Sequence, residues 1–156
     1  MKYLFTIIFF IPVVSMGQKI KLLTPGTKSS FRGLSVVTDN ILWVSGSVGT
    51  VGRSTDAGKT WQWQTLKGIE KTEFRDIEAF DSSTALIMAI AEPAYILRTT
   101  DGGKNWKTVY ENKDKGMFLD AMDFYDQKNG IVVGDPIDGK LKKKKTTDAG
   151  KTWNEW

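Results

Sequence analysis

Short apolar runs recur along this chain, each followed by a polar turn, and none is long enough for a helix. Ile41 to Val44, Ala85 to Ala91 and Ile131 to Val133 are continuously apolar, the pattern of strands buried on both faces. A half-apolar run precedes each, opening at Phe31-Arg32-Gly33-Leu34, Phe74-Arg75-Asp76-Ile77 and Phe118-Leu119-Asp120-Ala121, spaced 43 and 44 residues apart. A third run leads into a polar turn phrase, and a fourth leaves it at Trp61 to Leu66, Trp106 to Tyr110 and Trp153 onward. Four strands per period of about 44 residues is the layout of a β-propeller blade. The chain therefore reads as all-β, with three four-stranded blades at about 31–67, 74–112 and 118–156.

The turn phrase is the sharpest signal. It reads Ser54-Thr55-Asp56-Ala57-Gly58-Lys59-Thr60-Trp61, Thr99-Thr100-Asp101-Gly102-Gly103-Lys104-Asn105-Trp106 and Thr146-Thr147-Asp148-Ala149-Gly150-Lys151-Thr152-Trp153, with steps of 45 and 47 residues between its acids. Asp56, Asp101 and Asp148 can accept hydrogen bonds from turn N–H groups, and Gly58, Gly103 and Gly150 supply a positive-φ position. The Ser or Thr two residues ahead can bond locally, while Trp61, Trp106 and Trp153 can plug the space beneath the loop. These residues resemble the Asp-box, or BNR, repeat, whose pattern is Ser/Thr-x-Asp-x-Gly-x-Thr-Trp. The resemblance implies a β-propeller in which each box joins the third and fourth strands of a blade and lies away from the ligand face. The three acids are then structural rather than catalytic.

Both ends of the chain add expectations. Lys2, the apolar stretch Leu4 to Val14 and Ser15-Met16-Gly17 before Gln18 have the order of a secretory signal peptide over 1–17. The stretch is shorter than the roughly 20 residues of a membrane span, and no Cys near the cleavage point offers a lipid anchor. The expected product is exported, periplasmic or extracellular, without a stable membrane anchor. Residues 19–24 read as an orphan fourth strand, of the kind that completes the last blade of a closed propeller. Three blades and one spare strand suggest the first part of a longer propeller, or a subunit that closes by oligomerising.

Composition narrows the chemistry. Without Cys or His in these 156 residues there is no disulfide, thiolate, imidazole base or Ser-His-Asp triad, and zinc loses its commonest ligands. No metal site and no cofactor is expected. Gly46, Gly49 and Gly52 lack dinucleotide-fingerprint spacing and lead into a box rather than a helix. The net charge of +4 is too mild to argue for nucleic acid. Lys142-Lys143-Lys144-Lys145 stands where the other repeats carry Tyr95-Ile96-Leu97-Arg98 and Thr50-Val51-Gly52-Arg53. It reads as a frayed or altered edge, since Lys discourages edge pairing, with an anion patch as the alternative.

The candidate site lies at the end opposite the boxes. Arg32 and Arg75 hold equivalent places in two first strands, with Asp76 and Asp120 adjoining and Glu92 and Asp135 on the second-to-third connections. Planar guanidinium forks suit carboxylate or phosphate. Alternatively, each Arg pairs with a neighbouring carboxylate and ties blades together. Phe-Arg-Gly-Leu, Leu42-Trp43-Val44-Ser45-Gly46 and the Thr-Asp-Gly-Gly-Lys-x-Trp box resemble photosystem II assembly and stability factor-like propellers. That resemblance implies an exported, non-catalytic module that binds partner proteins through an arginine-rich face. A more distant resemblance, to sialidases, implies a glycoside hydrolase with three arginines on the substrate carboxylate and a Tyr nucleophile. The chain offers two candidate arginines and lacks the Phe/Tyr-Arg-Ile-Pro opening. Tyr95 falls in a third strand, and Trp63 could stack on a sugar or pack within its blade. The expected partner is a protein, or an acidic or carbohydrate ligand.

Overall fold

The computed structural model describes residues 26–91 and 93–156. The expected signal peptide at 1–17, the spare strand at 19–24 and Glu92 lie outside the described residues. Alternating side chains and tight turns give β1 (Phe31–Val36), β2 (Leu42–Gly46), β3 (Thr50–Ser54) and β4 (Gln62–Thr65) in the first sheet. The second holds β5 (Phe74–Ala79), β6 (Ala85–Ala89), β7 (Ala94–Thr99) and β8 (Lys107–Asn112), and the third β9 (Leu119–Phe124), β10 (Gly130–Ile137), β11 (Lys140–Thr146) and β12 (Asn154–Glu155). Each sheet is an antiparallel meander in chain order. No helix occurs among the described residues.

The sheets stack face to face through two cores. Trp43, Val51 and Leu66 of the first meet Phe74, Ile77, Ala85, Ile87, Ala89 and Leu97 of the second. Leu86, Met88, Ala94 and Ile96 of the second meet Met117, Leu119, Met122 and Val132 of the third. The period-two alternation of β6 sends Ile87 to one core and Leu86 and Met88 to the other, which is why that strand is apolar throughout.

The boxes are locked turns. Asp56 accepts the N–H and O–H of Thr60 at 2.8 and 2.6 Å and the Ser54 hydroxyl at 2.9 Å. Asp101 binds Asn105 and Thr99 in the same way, and Asp148 binds Thr152 and Thr146. The Ser or Thr oxygen in turn accepts the N–H of Gly58, Gly103 or Gly150. Positive φ occurs at these glycines, 76°, 87° and 71°, and also at the preceding Ala57, Gly102 and Ala149, 62°, 74° and 61°. Two consecutive positive values are the requirement of a type I′ turn. The N–H of that preceding residue donates to Asn40, Ser83 or Lys128 in the turn between the first two strands of its sheet. Trp106 and Trp153 reach into the two cores, edge-on to Trp43 and Phe124.

Polar ties cross the same interfaces. Arg53, over the Trp43 ring, donates to the Ser82 carbonyl, and Arg98 in the equivalent place donates to the Ala149 carbonyl at 3.1 Å. The Trp43 indole N–H donates to Asp81 O at 3.1 Å, and the Ala79 N–H to Ser35 Oγ at 3.0 Å. Lys142 to Lys145 correct the sequence reading: they form the ordered strand β11, laddered to β10 along its length and to β12 at its end. Lys144 pairs with Glu155 and lies over Tyr110, while Lys143 covers Trp156.

Two carboxylate environments set the pH response. Hydrogen bonds, first from the Thr60 side chain and first from the Asn105 N–H respectively, hold Asp56 and Asp101 at about 2. Burial alone would raise Asp148, but its bonds from Thr152 and Thr146 outweigh that and lower it. Their contribution to stability is complete above the ordinary carboxylate range and is lost as pH falls toward about 2. Glu78, half-buried on β5, is pushed the other way, to about 7, by burial first and then by Asp76 and Asp123. The fold prefers it protonated, so its contribution is complete below the ordinary range and disappears as pH rises through 7.

Asp101→Ala should lower the melting temperature at neutral pH and flatten its decline at acid pH, as thermal denaturation across a pH series would show. Trp43→Ala, at a fully buried site, should cost about 3–5 kcal/mol in denaturant unfolding. Glu78→Gln should match the parent protein at about pH 4 and melt higher at about pH 8; an equal difference at both would mean that Glu78 ionises ordinarily.

Candidate functional site

The end opposite the boxes is built from the connections between second and third strands and between successive sheets. Backbone bonds knit these together: Gly49 N–H to Thr72 O, Ser47 N–H to Ser30 O, Leu119 N–H to Ile90 O and Asp135 N–H to Phe118 O, at 2.7 to 2.9 Å. First strands begin here, and neighbouring β1, β5 and β9 pack against one another.

Each first strand begins with a bulge. The ladder runs Phe31 to Gly46 and then Gly33 to Ser45, leaving Arg32 as the extra residue, and Arg75 is left out in the same way between Phe74 and Asp76. In the third sheet the omitted residue is Asp120, between Leu119 and Ala121. A bulge kinks the strand and re-aims the side chain it ejects. Aligning the three phenylalanines by sequence is therefore one residue out in the third repeat. Leu119 takes the place of Phe31 and Phe74, and Asp120 the place of the arginines.

Both arginines reach to the following sheet. Arg32 Nε lies 3.1 Å from Glu73 Oε1, just before β5, with its side chain 55% exposed. The Arg75 guanidinium lies 5.5 Å from the centroid of Phe118, just before β9. Glu73 and Phe118 hold the same repeat position, so one geometry is realised once as an ion pair and once as a cation–π contact. Among the described residues, no hydrogen bond engages the Nη atoms of Arg32 or any nitrogen of Arg75. Both forks keep donors for a carboxylate while their stems are fixed.

The remaining candidates divide. Asp135 is exposed beside Phe118, and Asp120 is half-exposed on its bulge. Asp76 points into the structure: its carboxylate accepts the N–H of Ile77 and of Met122, each at 2.9 Å, joining the second and third sheets. Burial, its main influence, raises the Asp76 pKa despite those bonds. Tyr95 lies on the third strand β7 rather than on a first strand. Trp63 is stacked between Phe31 and Trp61, at 5.5 and 5.0 Å, and covers Gly52, a packing role. A depression of about 260 Å³ adjoins Glu73, lined by Lys71, Thr72, Ile90, Ala91, Pro93 and Tyr95. Sequence reasoning missed Glu73 and Phe118 as partners of the arginines. It also missed the ties from Arg53 and Arg98, although a basic residue directly before every box, Lys145 in the third, was a visible signal.

Comparison with solved structures returns the same architecture. YCF48 bound to D1 peptide superposes with a TM-score of 0.64 at 22% identity, over 83% of this chain and 41% of that one. YCF48 from Cyanidioschyzon merolae gives 0.63 at 21%, over 86% and 42%. The computationally designed Ika4 protein gives 0.55 at 17%, over 88% and 78%. The chain thus spans about two fifths of the length of the two YCF48 structures, and at these identities the likeness is one of fold. A comparison with curated proteins gave no match. The family model for photosynthesis system II assembly factor YCF48 matches residues 18–117, and with three boxed, four-stranded sheets in place this chain belongs to that family of BNR propellers.

Proposed function

We propose that this chain is an exported, non-catalytic binding module, assembly-factor-like, which captures a peptide segment of a partner protein on the face carrying Arg32 and Arg75. The observation that carries this reading is the pair of bulge arginines. They are ejected at the same position of adjacent first strands and braced by Glu73 and Phe118, with donors left over. Family membership supports it, as does the relative seen bound to D1 peptide. A peptide carboxylate suits the two forks, while Asp120 and Asp135 on the same end suit the N–H groups or cations of an extended segment. Export rests on the residue pattern of 1–17, and N-terminal sequencing of the mature protein tests it.

The sialidase-like alternative gains nothing from this geometry. Where a third arginine would complete a carboxylate clamp within these sheets, the bulge holds Asp120. A carbohydrate or other acidic ligand is the weaker version of the binding reading.

Titration of a labelled D1 peptide by fluorescence anisotropy provides the test. Arg32→Ala with Arg75→Ala should weaken binding by at least roughly tenfold and leave the melting temperature within a few degrees. The double Lys variant should lose less, since charge survives and the fork does not. Binding indifferent to both arginines would sink the proposal, and turnover of a fluorogenic sialoside, abolished by Arg32→Ala, would replace it with the enzyme.

A further inference from the structure

Tyr95 and Leu97 alternate with Ala94 and Ile96 along β7, so the two pairs face opposite sheets. On the side of the first sheet the packing stops short of the rim. Ile69, Tyr95 and Trp106 touch the first core yet are only half-buried, and beside them three depressions of about 380, 280 and 260 Å³ lie in a row. The first two share Ile69 and Leu97 and the last two share Tyr95, which makes them one furrow. It runs from the box end, at Lys104 and Trp106, to the end that carries Arg32 and Arg75, at Thr72 and Glu73. Its walls are two neighbouring sheets, the first through β4 and the 66–73 connection and the second through β7 and β8.

The next joint shows the same place filled. Counting back from the box, Lys144 of the third sheet stands where the second has Leu97. Its ammonium lies over Tyr110 and pairs with Glu155, and the depression left there is only about 80 Å³. Leu97 is shorter and carries no charge to anchor, so the joint between the first and second sheets stays open over an apolar floor.

Charge selects what fits it. Both acids that line the furrow are compensated, Glu73 by Arg32 and Glu111 by Lys113 at 3.2 Å. Lys67, Lys71 and Lys104 are exposed along it and form no ion pair among the described residues. An apolar floor thus lies under an unbalanced positive rim.

We propose that this furrow is a second docking site, separate from the arginine face, for an extended acidic segment of a partner protein in which every other residue is apolar. Alternation sends the apolar side chains to Ile69, Leu97 and Trp106 and the carboxylates to the lysine rim. β7 has six residues and a length of about 20 Å, so a segment of roughly six residues fills the furrow. A recessed floor between two ridges admits a single chain, whereas an anionic membrane would need the apolar groups to project.

Fluorescence anisotropy tests this, with the full chain titrated into a labelled Glu-Leu-Glu-Phe-Glu-Leu peptide and, separately, into Lys-Leu-Lys-Phe-Lys-Leu. The acidic probe should bind saturably and the basic one should not. Lys67→Glu with Lys104→Glu, both at exposed sites, should weaken the acidic probe by roughly tenfold and admit the basic one, an exchange that misfolding would not produce. Leu97→Lys, which copies the filled joint, should abolish binding while far-UV circular dichroism keeps its β signal. Arg32→Ala with Arg75→Ala should leave the affinity for the acidic probe within about twofold. No binding of the acidic probe, equal binding of the two probes, indifference to Lys67 and Lys104, or binding lost with the two arginines would overturn the proposal.

Discussion

A sheet that is apolar on both faces has no stable existence until both are covered, and the rest of this molecule follows from that constraint. β6, with all five residues buried, shows it most plainly: Ile87 serves one interface and Leu86 and Met88 the other. The blade repeats because each needs a neighbour of complementary shape, and the simplest complement is another copy of itself. The interior strands β6 and β7 of the second sheet, covered on both faces, are therefore the most apolar.

The two ends do different work because their side chains are committed differently. At the box end every aspartate oxygen is engaged by local donors and the glycine N–H is capped by the neighbouring hydroxyl, so little valence remains for a ligand. The same end also carries the arginine ties to the next sheet. At the opposite end the bulges eject Arg32 and Arg75, whose contacts to Glu73 and Phe118 orient the guanidinium groups without exhausting their donors. The bulge arginines thus sit at the opposite end of the sheets from the side chains that lock the box turns.

Between the ends, the first strands carry carboxylates in a more demanding setting. Asp76 spends both oxygens on backbone N–H groups, and Glu78 beside it is held toward its neutral form by burial and by its acidic neighbours. Partial protonation of Glu78 near neutral pH relieves the repulsion of three acids on adjoining strands.

Local signals were enough to read much of this from the residues alone. The boxes, the four-strand period and the apolar middle strands depend on turn chemistry and alternation within a few residues, and those are properties of sequence. What the sequence could not decide was register across strands and the identity of neighbours across sheets. A single omitted residue at each bulge moved Asp120 into the arginine position, where aligned phenylalanines had placed Leu119. Asp76 adjoins Arg75 in sequence, but only the tertiary structure shows that the third sheet brings the Met122 N–H to its carboxylate. The lysines of β11, read as a frayed edge, became an ordered strand once β10 and β12 supplied its ladders and Glu155, Tyr110 and Trp156 its side-chain contacts. Turn geometry is set by torsions and bonds inside one octapeptide, whereas a side chain ejected at a sheet boundary takes its role from a residue some forty positions away.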